Sequence, residues 1–157
     1  MVHRHARDRA TTGGFSLAEL LVFMAVVGII FAMAVPSFLT YYQAAVLKSG
    51  VQDVIGLINQ ARGLAVKQND GVCVELPSAT RIRYRLSTCG GTIWVGVGTD
   101  GAGNINLPAG FTVTASANPV FTYLGSALPA ATYTLTNTTT GATLTVSVAL
   151  TGRVTSP

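Results

Sequence analysis

The chain has 157 residues, ten Lys and Arg against six Asp and Glu, and a net charge of +4, which argues for one domain plus an anchor. Only 10% of it is charged, and both histidines, His3 and His5, fall in the first five positions. Beyond residue 14 there is no histidine and the five carboxylates are scattered. That excludes a histidine-based triad, an imidazole metal site and a carboxylate dyad, so neither an enzyme nor a cofactor is expected.

Residues 1–12 form a basic leader carrying Arg4, Arg7 and Arg9, followed by Gly13 and Gly14. The 20 positions from Leu20 to Leu39 then hold no charged residue, and ~20 apolar residues at about 1.5 Å each cross a hydrocarbon core of ~30 Å. Arginines ahead of such a span predict a cytoplasmic N-terminus and an outer remainder. Glu19 stands just inside its start, and a carboxylate placed at the head of an apolar helix is a functional candidate by default. Gly28 and Pro36 interrupt the run, and Pro36 is expected to kink the helix. A cleavage site of the ordinary secretory kind, Ala32-Met33-Ala34, offers the alternative of a soluble secreted protein. Glu19 within the apolar core argues against it.

Past Pro36, Leu47, Val51, Val54, Ile55, Ile58, Ala61 and Ala65 recur at three- and four-residue steps, the period of an amphipathic helix. One long helix is predicted from about Ser16 to about Gln68, stopped by Asn69-Asp70-Gly71. From Val72 the period becomes two. Strands are expected at 72–76, 81–86, 92–97, 111–115, 120–123, 132–136 and 143–150, with a turn at 77–80 and a loop at 98–106. The fold class is therefore α+β, a long N-terminal helix packed on an antiparallel sheet.

Within this outer part Cys73 and Cys89 are placed where a disulfide can form and persist. A tight hairpin at 77–80 would set Cys73 opposite Tyr84, so the bridge requires the loop after Leu86 to fold back. Arg81, Arg83 and Arg85 share one face of a predicted strand. They read either as a solvated edge or, with Arg153, as a phosphate-gripping surface whose affinity falls with salt. The loop Asp100-Gly101-Ala102-Gly103-Asn104 lacks the further acidic ligands of a calcium loop and reads as a turn.

The leader, Gly14-Phe15 and Glu19 in register with an unbroken apolar helix resemble a type IV prepilin. The resemblance implies cleavage after Gly14 by a prepilin peptidase, methylation of Phe15, and assembly through Glu19 with a neighbour's N-terminal amine. It places the family's helix-kinking proline on Pro36. Leu57-Ile58-Asn59-Gln60-Ala61-Arg62-Gly63-Leu64-Ala65 and the ending Gly152-Arg153-Val154 resemble the GspH/FimT pseudopilin family. That implies a leader at 1–14, a transmembrane and assembly helix at 15–39, an amphipathic helix at 40–70 and an extracytoplasmic β domain at 71–157. It also implies an inner-membrane protein with a periplasmic domain, partnered by other pilins and by secreted cargo in a type II secretion pseudopilus. The alternative is a type IV pilus subunit binding DNA through a Gly-Arg-x-Arg ending, of which Thr155 replaces the second arginine here.

Overall fold

The computed structural model describes residues 14–157, so the leader expected at 1–14 lies, up to Gly13, outside the described residues. Contacts divide the chain into two units, Met1–Tyr41 and Tyr42–Pro157. One helix, α1 (Leu17–Gln68), runs through both and continues past Gly28 and Pro36. It stops where Asn69 turns to a positive φ of 52° and the Asp70 N–H bonds the Ala65 carbonyl, a left-handed ending that Asn tolerates better than most residues.

In the first unit the helix is exposed all round. Its most apolar stretch has a mean hydropathy of 2.6 and no buried residue. In the second unit the sequence period becomes a packed face: Leu47, Val51, Val54, Ile58, Ala61 and Ala65 are buried, as predicted from their spacing. Each fully buried Val or Ile contributes roughly 1.5–3 kcal/mol against exposure.

That face is covered by two antiparallel sheets, where one was expected. The first takes β1 (Val72–Ser78), β2 (Arg81–Leu86), β3 (Asn104–Asn106), β5 (Val120–Phe121) and β6 (Ala127–Leu128) in the order β3-β2-β1-β5-β6. The second takes β4 (Phe111–Ala115), β7 (Ala131–Asn137), β8 (Thr143–Val148) and β9 (Val154–Thr155) in the order β4-β7-β8-β9. Val72, Val74, Ile82, Tyr84 and Phe121 from the first sheet join Phe111, Val113, Tyr133, Leu135, Val146 and Val148 from the second in one core with the helix. All of this core lies within Tyr42–Pro157, so the second unit carries its own.

Three expectations are corrected. The turn after β1 is tighter than 77–80, because β1 runs to Ser78 and an irregularity between Glu75 and Ser78 shifts the pairing, setting Cys73 opposite Arg85. The strand expected at 92–97 is a loop with a single bridge, Ile93 to Arg85. The expected loop at 98–106 ends in β3, which pairs with β2 through Ile105 and Ile82.

Candidate functional site

At the head of the first unit the Ser16 carbonyl accepts the Leu20 N–H at 3.1 Å, and Glu19 falls in the first helical turn. A carboxylate there faces the positive end of the helix dipole. Phe15, Glu19, Leu20 and Phe23 line one recess of about 330 Å³. Phe15 is 86% exposed, and large apolar side chains stay exposed from there to Leu39. An apolar surface of that extent requires lipid or other helices around it. Within it, Glu19 supplies the one anionic group to which a cation from outside the chain can pair.

The arginine row on β2 is largely spent within the domain. Glu75, across from Arg83 on β1, receives Arg83 Nη2 at 2.9 Å and Arg85 Nε at 2.6 Å on the same oxygen. Arg85 also donates to the Gly91 carbonyl, and Arg81 to Asn106 Oδ1 at 3.2 Å. Partial burial pushes the Glu75 carboxyl upward, but hydrogen bonds and charge from Arg85 and Arg83 outweigh it and hold it below the ordinary range. Glu75 was absent from the residues singled out by sequence; its place opposite two arginines appears only once the register is known. Arg153 is exposed in the turn between β8 and β9, on the other sheet from the arginine row. It lines a shallow trough with Thr132, Ser147 and Thr155. No charged side chain occurs between Asp100 and Arg153, so the second sheet offers no further cation.

Cys73 and Cys89 form a disulfide, 16 residues apart, with Cα atoms 5.0 Å from each other. The loop after β2 does fold back. Ser87, at a φ of 66°, donates its N–H to the Gly71 carbonyl and its hydroxyl to Asp70, and Leu86 donates to the Thr92 carbonyl. A loop of this length makes the bridge worth roughly 3 kcal/mol in the chain-entropy account.

The two stretches carrying the GspH/FimT resemblance meet in space. Gly125 and Gly152 both adopt positive φ, 80° and 76°, and a side chain at either would press on the Arg62 guanidinium. A Cβ at Gly152 would also collide with the Gly125 carbonyl. Arg62 of the helix motif is thus seated on the glycine of the closing motif, and the adjacent Arg153 is a separate, exposed group. Asp100 spends its carboxylate on the Ala102 and Asn104 amides and the Asn104 side chain. Among the described residues no three His, Cys, Asp or Glu side chains gather into a metal-holding group.

No family model and no curated protein matches the chain. Solved structures do. The type IV minor pilin FimU of Pseudomonas aeruginosa aligns over 74% of this chain and 92% of its own, at a TM-score of 0.57 and 16% identity. The fold is type IV pilin-like. The minor pseudopilin EpsH of the Vibrio cholerae type 2 secretion system aligns over 71% of this chain and 95% of its own, at a TM-score of 0.54 and 10% identity. In this chain, as in those folds, a long helix lies against antiparallel sheets, as the GspH/FimT resemblance implied, and at these identities the likeness is one of fold.

Proposed function

We propose that this chain is a minor subunit of a pilin-like filament, anchored in the inner membrane with its β domain outside. The observation that carries this reading is the bare apolar helix headed by Phe15 and Glu19, on a chain with a minor pilin fold. Prepilin peptidase would cut after Gly14 and methylate Phe15. Glu19 would then take the N-terminal amine of a neighbouring subunit, replacing an unfavourable lone carboxylate in hydrocarbon by a charge pair. Pro36 would adjust the helix within the bundle. The machine is read as a type II secretion pseudopilus, with cargo and other pseudopilins as partners and protein secretion as the output.

The DNA-binding alternative, a FimT-like pilus subunit, rests on Arg81 and Arg153, which keep exposed guanidinium groups. It is disfavoured because Arg83 and Arg85 are both held by Glu75, which cancels one of their two charges, and because nucleic-acid affinity grows with the number of phosphates neutralised.

The test is the mass of the N-terminal peptide of the protein purified from membranes. A chain that begins at methylated Phe15 is the expected result. A chain that begins at Val35 would overturn the filament reading in favour of a secreted soluble protein.

A further inference from the structure

We propose that the outer edge of β8 at Thr143–Thr145 is a docking site for an extended, uncharged polypeptide segment of another protein, added to the second sheet as a further strand. The proposal is independent of the filament reading.

It begins with the direction of the backbone groups. Asn137 donates its N–H to the Ala142 carbonyl across the turn between β7 and β8, and Ala149 donates to the Arg153 carbonyl across the turn between β8 and β9. Bonding direction alternates residue by residue along a strand. The even-numbered residues of β8 therefore face β7, while Thr143, Thr145 and Ser147 face the other way. β9 covers only Ser147 and Val148, by pairing with Thr155 and Val154. Two residues on, the register would set Pro157 against Thr145, and proline has no N–H to continue the ladder. The N–H and C=O of Thr143 and Thr145 are left facing outward, with no backbone partner on that side among the described residues.

The outer strands β4, β6 and β3 each take at least one bond from elsewhere in the domain on their outer side. Val113 of β4 donates to the Ala79 carbonyl, and Ala127 of β6 donates to the Leu150 carbonyl. Asn104 of β3 exchanges bonds with the Asp100 loop, next to the Arg81–Asn106 contact. Natural sheets protect open edges with charge, proline or bulges. The open part of β8, from Thr143 to Val146, has none of the three.

The occupant follows from the chemistry of the edge. Paired N–H and C=O groups on alternate residues, ~6.7 Å apart along a strand, are matched by another extended backbone. No charge lies between Asp100 and Arg153 to attract an ionic ligand. Leu144, on the core side of this edge, is only partly buried and packs against the core, while Thr143 and Thr145 carry hydroxyls on the opposite face. The partner strand would therefore alternate an apolar residue, covering Leu144, with small hydroxyl residues. It would lie in line with β9, a case of strand addition in which the backbone supplies affinity and alternate side chains supply selectivity.

The probe is a synthetic peptide, Thr-Val-Thr-Val-Thr-Val with blocked ends, titrated into the isotope-labelled Tyr42–Pro157 unit, which holds the whole core. The expected result is saturable amide shifts at Thr143–Val146 and at least a tenfold slowing of hydrogen exchange at Thr143 and Thr145. The same peptide with alternate amides N-methylated should leave both unchanged. Thr145→Pro removes the outward donor without touching the β7 ladder, and should abolish the shifts while thermal unfolding stays cooperative. If that variant does not fold, Thr145→Lys should weaken binding at least tenfold. Absence of saturable shifts at Thr143 and Thr145, shifts confined to another surface such as residues 93–97, or protection of the edge by self-association without peptide would each overturn the proposal.

Discussion

Tyr84 and Tyr133 are both fully buried, and they differ in what their hydroxyls meet. Tyr84 donates to the Leu57 carbonyl of the helix at 2.7 Å, pinning the first sheet to α1. The Tyr133 hydroxyl has no hydrogen-bond partner among the described residues. Burial raises the phenol of each above its ordinary value, so both stay neutral near pH 7. A satisfied buried hydrogen bond contributes ~0.5–1.5 kcal/mol. Tyr84→Phe should therefore lower unfolding stability by about 1 kcal/mol, and Tyr133→Phe should leave it within ~0.5 kcal/mol, as read by urea titration. Gly152 makes a sharper case. Its left-handed backbone costs an L side chain ~1–2 kcal/mol, and the Gly125 carbonyl occupies the place of a Cβ. Gly152→Ala should lose more than ~2 kcal/mol by that sum. Gly141→Ala, at a similar φ of 70° but in open space, should lose only the backbone part. From the sequence, Gly152 was legible as a motif position but its reason was not, since Gly125 has no sequence signal tying it to Arg62.

The elements that announced themselves are those with a long period. Helix α1 was legible because its apolar residues recur over many turns, and β1, β2, β4, β7 and β8 because five or more residues alternate or carry β-branched side chains. The strands β3, β6 and β9 have two or three residues each, too few for a period, and exist because a longer neighbour supplies their bonds. The segment 92–97 shows the converse error. It alternates, yet Val97 is 90% exposed and the Trp94 ring fills the space beside Gly96, so the stretch turns away after one bridge. Acid should weaken this arrangement of elements in a defined direction. Asp70 is held below the usual carboxylate value by hydrogen bonds from Ser87 and Gly71, and Asp100 by bonds from Asn104 and Ala102. Glu75 joins them once its arginines outweigh its burial. Carboxyls lowered on folding stabilise fully above their unfolded values of ~4 and lose that contribution as pH falls through the folded ones. Thermal unfolding midpoints should hold steady from pH 7 to about 5 and fall below ~4. Glu75→Gln should start lower at pH 7 and fall less steeply.

For the molecule as a whole, the two units depend on different surroundings. Among the described residues no buried apolar one precedes Leu47, so removing residues 1–41 should leave the thermal midpoint of the remaining domain within ~2 °C of that of the full chain in detergent. A fall of ten degrees or more would mean that the first helical unit supports the domain. In the sequence the helix changes character after Pro36, from uniformly apolar to amphipathic. The split of the β domain into two sheets was not readable there, because strand order is set by pairings between residues far apart.

The seat of Arg62 on Gly125 and Gly152 also has a meaning in time. A ribosome releases the helix before the closing turn, so the guanidinium waits until β1–β8 have been made. Packing across that junction cannot finish before Gly152 is out. A copy truncated ahead of Gly152 would keep its helix and those eight strands, yet leave this latch without its second half. The junction registers that synthesis has passed through the closing motif.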